Sequence, residues 1–234
     1  MHNTITLGFS LKKLGIITIG QSPRLDITSD LRQHLPADVA LIEAGALDGL
    51  SRKYIEEKMR PNRKDVMYVS RMADGSEVKL AKNRLIPIMQ KRIHQLERKE
   101  ADLIVIFCTG DFPEFDAKVP LIYAGRVLKG LLSGLKCKQD IGILVPLRQQ
   151  IDYARKKWGE FFENLKILHA SPYTSTKSDF RIVAKKFKES GAKLVIMDCI
   201  GYTSEQKNIL KEYSDLPVIS SRSVLIRFLN ELLE

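Results

Sequence analysis

Two cysteines stand in matching settings in this chain. Cys108 closes the apolar run LIVIF and is followed by Thr109-Gly110-Asp111, while Cys199 closes LVIMD and is followed by Ile200-Gly201-Tyr202-Thr203. Set side by side without a gap, ADLIVIFCTGDF from Ala101 and AKLVIMDCIGYT from Ala192 match Ala with Ala, Leu103 with Leu194, Val105 with Ile196, Cys108 with Cys199 and Gly110 with Gly201. A thiol at each of two facing strand ends can act as base and acid on opposite faces of one carbon, with no metal or organic cofactor. The competing reading is a small buried hydrophobe, which free cysteine often is. Helix-start amides near Cys199 would favour its thiolate. Asp198 would oppose it if close, but alternation along the strand points Asp198 away. Cys137, in LKCKQD, lies outside the echo and is expected to be structural.

Groups that could hold an anion surround these thiols in sequence. Gln21-Ser22-Pro23-Arg24 joins the first strand to the first helix, with Pro23 at the first helical position. Helix-start amides favour anions there, and Arg24 can add a bidentate pair; a plain cap and a surface arginine are the alternative. Thr109 and Gly110 offer a hydroxyl and an amide, and Asp111 a cap or a cation contact. Arg71 precedes the Asp74-Gly75 turn and is placed either on a ligand or in a salt bridge. Arg148, after Pro146, occupies the counterpart of the Ser22 loop in the second half. Gly201, Tyr202 and Thr203 follow Cys199 into the same pocket. Ser221 and Arg222 follow the last strand, where capping and surface charge compete with ligand contact. The scattered histidines make no metal motif, and no nucleotide fingerprint or serine-hydrolase elbow is present. Neither a metal nor a cofactor is expected.

The elements that must position these residues alternate. KLGIITIG (13–20), ADVALIEAG, ADLIVIF, VPLIYAG, CKQDIGILVP, KILHASPY, AKLVIMD and LPVISS are expected strands. Helices are expected over 24–35, SRKYIEEKM, 82–99, about 124–134, RQQIDYARKKWGEFFENL, KSDFRIVAKKFKES, SEQKNILKEYS and SVLIRFLNELLE. DVMYVSRMADGSEVKLAKN breaks the rhythm as a hairpin turning at Asp74-Gly75. Short apolar strands separated by helices imply an α/β fold with mostly parallel sheets. The echo divides it into a first lobe at 14–135, carrying the hairpin insertion, and a second at 136–234, its last helix packing back on the first. Residues 1–13 are set apart as an N-terminal arm. Parallel sheets bind ligands beyond the carboxyl ends of their strands, so Cys108 and Cys199 are expected on opposite walls of one cleft between the lobes.

The 234 residues, 44% apolar and 28% charged, suit a globular chain of this size. Three cysteines, none close together, suggest a reducing, cytoplasmic setting without disulfides. No secretory signal or membrane-length apolar run is seen. The net charge of +10 is spread over mixed-charge helices and reads as solvated surface, not a nucleic-acid site. The expected partner is a small anion or carboxylate, and a homodimer is plausible.

GIITIGQSPR, the VSR of 69–71, ILVPLRQQIDYARKKW, MDCIGYT and PVISSRSVLIRFLNELL, in that order, make the chain from about Lys13 to Leu233 resemble the AroM family, within the aspartate/glutamate/hydantoin racemase-like superfamily. The resemblance implies two pseudo-symmetric three-layer α/β lobes around a central cleft. The racemases further imply Cys108 and Cys199 as an acid–base pair for racemisation, isomerisation or decarboxylation of a small carboxylate without pyridoxal phosphate. AroM-like proteins are named for a genetic association with aromatic amino-acid biosynthesis, and the alternative is a non-catalytic small-molecule binding or regulatory protein, linked to that metabolism, that kept the cleft and lost the reaction. The chain departs from racemase patterns at Thr109-Gly110, where Asn-Thr is usual, at Asp198-Cys199-Ile200, where Gly-Cys-Thr is usual, and at Gln21-Ser22, where Asp-Ser or a glycine pair is common.

Overall fold

A computed structural model describes residues 13–234; the expected N-terminal arm falls, apart from residue 13, outside the described residues. The first sheet joins β1 (Lys13–Thr18), β2 (Ala40–Gly45), β5 (Leu103–Ile106) and β6 (Leu121–Tyr123), all parallel, in the order β2-β1-β5-β6. The second joins β7 (Ile141–Val145), β8 (Leu165–His169), β9 (Leu194–Met197) and β10 (Val218–Ser220), again all parallel, in the order β8-β7-β9-β10. Counted within each sheet, the two orders are the same. β5 and β9, which carry the echoed sequences, hold the same place in their sheets, so the sequence repeat is a structural repeat.

These segments form strands because they are short, apolar and covered on both faces, as interior parallel strands are. Every residue of β5 is buried, and so is every residue of β7. The covering helices are α1 (Leu25–Arg32), α3 (Lys82–Arg98), α4 (Ala124–Ser133), α5 (Ile151–Gly159), α6 (Lys177–Glu189), α7 (Ser204–Ser214) and α8 (Ser221–Leu233). α6 and α7 start on capping boxes at Thr176 and Thr203. The helix expected over 51–59 is a single α-turn, α2 (Arg52–Tyr54), that widens into a π-helical turn at Ile55–Met59. Pro23 stands two residues before α1 instead of opening it, and the Ser22–Pro23 bond is cis.

The closing helix of each half belongs to the other half's core. Leu225, Ile226 and Leu229 of α8 share one apolar cluster with Leu14, Ile16, Leu103 and Val105 of the first sheet. Leu128 and Leu132 of α4 share another with Ile141, Ile143, Ile196 and Trp158 of the second lobe. The hairpin β3 (Met67–Arg71) and β4 (Glu77–Ala81) is antiparallel and turns through Gly75 at φ +90, a value glycine accepts freely. It reaches the second lobe through several contacts, among them Gln150 Nε2, which donates to Met67 O at 3.1 Å, and the Ser171 hydroxyl, which bonds the Glu77 carboxylate.

Candidate active site

The two cysteine turns are built alike. Past the last strand residues, Phe107 N–H donates to Ile17 O and Asp198 N–H to Leu144 O, extending each ladder by one bond. The chain then turns, and a glycine amide two residues on points back at each sulfur: Gly110 N to Cys108 Sγ is 3.4 Å and Gly201 N to Cys199 Sγ is 3.3 Å. Each glycine also makes room for a tyrosine. A Cβ on Gly110 would stand 2.4 Å from the Tyr68 ring, and one on Gly201 would stand 2.5 Å from the Tyr173 hydroxyl. Gly110→Ala is therefore expected to push Tyr68 off the turn and to cost about 1–3 kcal/mol, as overpacking does, read as a lower denaturation midpoint.

Cys108 and Cys199 line one cavity of about 40 Å³ between the lobes, with Thr109, Gly110, Tyr68, Tyr153, Pro146 and Lys157 among its walls. That is room for water and not for a metabolite, so the cavity must widen to admit a ligand. Burial pushes the Cys108 thiol up to about 12 and the Cys199 thiol up to about 11. The Gly110 amide and the Lys157 cation pull Cys108 back part of the way; the Gly201 amide, Arg24 and Arg222 do the same for Cys199, against Asp198. Both thiols are thus neutral at pH 7 in this closed form.

Two measurements follow. All three cysteines are half-buried, but the thiolates of Cys108 and Cys199 are disfavoured, so a thiol reagent at neutral pH should label Cys137 first and the other two faster once denaturant opens the fold, as peptide mass spectrometry would show. The unfolded chain releases these two thiol protons near the ordinary 9.0, whereas the fold retains them to about 12 and 11. Their contribution to stability is therefore full below pH 9.0 and is lost as pH rises through the folded values. Denaturation midpoints should fall over that range, and fall less in a Cys108→Ser/Cys199→Ser variant.

A buried ion pair stands beside the thiols. Lys157 Nζ lies 2.9 Å from both carboxylate oxygens of Asp198 and 2.9 Å from Thr109 O. Trp158 Nε1 donates to Asp198 Oδ2 at 2.7 Å, and Thr109 Oγ1 donates to Asp198 O at 3.3 Å. One turn earlier on α5, Tyr153 donates to Asp111 Oδ2 at 2.5 Å, and Tyr68 donates to Asp111 O at 3.0 Å, with Lys129 Nζ 3.3 Å from Asp111. Burial works against the Asp111 charge, but Tyr153, Lys157 and Lys129 hold its carboxyl below the usual range.

The other expected ligand-binding groups, the exposed Arg148 apart, are engaged by the protein. Arg24 is buried and grips Asp26 with two bonds of 2.9 and 2.8 Å, reaching also Thr18, Ser70 and Tyr173. Burial opposes the Asp26 charge, yet Arg24, Arg222 and Arg71 together hold its pKa down. Arg71, partly exposed, lies 3.9 Å from Asp26. Arg222, also buried, donates to Ile200 O, Gly201 O, Asp26 O and Asp30 Oδ2, joining the Cys199 turn to α1. Ser22 bonds Asp48, and Gln21 accepts from Ala73 N and donates to Leu47 O and Leu50 O. Tyr202 is buried with its hydroxyl on Ala170 O, Thr203 caps α7, and Arg148 is exposed on a single 3₁₀ turn. Of the expected residues, Cys108, Thr109, Gly110 and Cys199 meet at the cavity; Gln21, Ser22, Arg24, Arg71, Asp111, Arg148, Gly201, Tyr202, Thr203 and Arg222 are not among its walls. Tyr68, Tyr153, Lys157 and Asp198 were not foreseen there. Among the described residues no group of three or more His, Cys, Asp or Glu could hold a metal ion, and no helix is long and apolar enough to cross a membrane.

Comparison with known proteins places this geometry. A family model described as AroM protein matches residues 14–233. A search of curated proteins finds no match. Among solved structures, glutamate racemase from Aquifex pyrophilus is similar at TM-score 0.58 and 17% identity, covering 95% of this chain and 84% of its own. Allantoin racemase from Klebsiella pneumoniae is similar at TM-score 0.57 and 14% identity, covering 95% and 87%. An arylmalonate decarboxylase is similar at TM-score 0.58 and 12% identity, covering 94% and 91%. At these identities the likeness is one of fold, and the fold is the racemase-like pair of α/β lobes.

Proposed function

Because the chain belongs to the AroM family, we propose that it binds a small carboxylate between its lobes and moves a proton at the neighbouring carbon, Cys108 serving one face and Cys199 the other. One observation carries this reading: the two thiols leave equivalent strand ends and line the same cavity. The similar folds lend support, being named as two racemases and a decarboxylase.

In the proposed step a thiolate takes the carbon-bound proton, and its electron pair delocalises into the adjacent carboxylate. The opposite thiol then gives its proton to the other face and is left as the thiolate. Charge and protons balance within the pair. The closed cavity holds both thiols neutral, so the thiolate must arise as the cleft widens and water reaches it. Lys157 and the Gly110 amide favour it at Cys108; Arg24, Arg222 and the Gly201 amide favour it at Cys199. The buried arginines hold the turns and the lobes.

A second reading, binding or regulation without turnover, is favoured by the same raised thiol values. Incubation in heavy water with amino, hydroxy, malonic and aromatic acids separates the two. Deuterium entering the carbon beside the carboxylate, and absent with Cys108→Ser/Cys199→Ser, supports the reaction. An acid that raises the melting temperature but shows no exchange supports binding alone.

A further inference from the structure

Acid–base chemistry at the thiols does not itself require the buried ion pair of Lys157 and Asp198, at 4% and 8% exposure. An ammonium has three protons to donate, and all three of Lys157 are within reach of protein oxygens: both carboxylate oxygens of Asp198 and the carbonyl of Thr109. None is left for a ligand. Thr109 follows Cys108, and Asp198 precedes Cys199. One cation thus ties together the two turns that carry the thiols, and the Thr109 hydroxyl on Asp198 O adds a second tie between them. Trp158, fully buried on the same helix, seats the carboxylate through its indole N–H and fixes the direction from which Lys157 approaches.

Stability alone does not account for such a pair, since well-packed apolar residues of similar volume often serve as well or better. Hydrogen-bonded charges do supply a defined geometry, which apolar packing against the same turns would not impose. We propose that the Lys157–Asp198 pair, seated by Trp158, is a positioning strut that fixes the spacing of the Cys108 and Cys199 turns so that both thiols address one carbon. The inference rests on the reading of the thiols as partners in one reaction, but the strut itself can be tested without a substrate. The pull of Lys157 on the Cys108 thiol gives it an electrostatic effect as well.

The test compares parent protein with Lys157→Met/Asp198→Leu, which removes both charges and leaves neither stranded, by amide hydrogen exchange without ligand. The expected result is unchanged protection in β5 and β9, with the amides of residues 108–111 and 199–202 exchanging about tenfold faster or more, as loss of charge-assisted bonds implies. Trp158→Phe keeps an aromatic ring but removes the indole N–H bond to Asp198 and part of the buried bulk; it should loosen both turns in the same sense by less, and it decides the matter if the double variant does not fold. Parent-like protection of both turns, loosening of one alone, or an even loss across the sheets overturns the strut. Absence of carbon–hydrogen exchange in the parent with every acid tried overturns the proton-transfer reading instead, and leaves the turn measurements to judge the strut.

Discussion

Replacing Cys199 by Ser is expected to reduce inversion at carbon by about 10²–10⁴-fold, the usual contribution of a positioned acid or base, while exchange with heavy water survives for one enantiomer only. The substitution keeps shape and hydrogen bonding, but a hydroxyl does not ionise as a thiol does. With Cys108 intact, a hydrogen facing that side can still be removed and returned as deuterium. Cys108→Ser should show the complementary pattern, retaining exchange for the opposite enantiomer. Proton NMR of each enantiomer and chiral chromatography of the product read the two quantities separately. If either variant inverts its substrate at the parent rate, the two-thiol mechanism is wrong.

Lys157→Met should be the most destabilising single change at the site, at about 3–5 kcal/mol, because it strands a buried carboxylate. Asp198→Leu should cost a similar amount by stranding the ammonium. The two together should cost much less than the sum, since neither charge remains. Denaturant midpoints at unchanged slope measure all three. Additive losses would mean that the two groups are stabilised separately and do not depend on each other.

The lobes were legible because their signals are local. An apolar run such as LIVI or LVIM, bounded by polar turns, identifies a buried strand wherever it sits, and the matched Cys and Gly revealed the repeat. The hairpin was legible from Asp74-Gly75 for the same reason. Lys157 was not, because RKKW looks like a solvated basic stretch. Its burial depends on Asp198, brought in from another element. A signal was present: Lys157 lies three residues after Ala154 and next to Trp158, on the buried stripe of α5. Arg24 and Arg222 illustrate the converse. Their types suit anion binding, but Asp26 two residues away and Asp30 on a neighbouring helix engage them. Local spacing does not choose between a carboxylate in the chain and one in a ligand. Tyr68 and Tyr173 escaped notice because a tyrosine lying against a glycine from a distant segment leaves no local trace.

The exchanged closing helices also constrain the order in which the chain can fold. The first lobe's core includes Leu14 and Leu31 but is not complete without Leu225, Ile226 and Leu229. During synthesis its first sheet can pair early, yet one apolar face must wait until residue 229 has been made. That wait is the period in which a chain of this size is most exposed to aggregation or to capture by a chaperone. The second lobe waits for nothing after its own residues, because α4 is made before the sheet it covers. The half that begins first is therefore the half that finishes last.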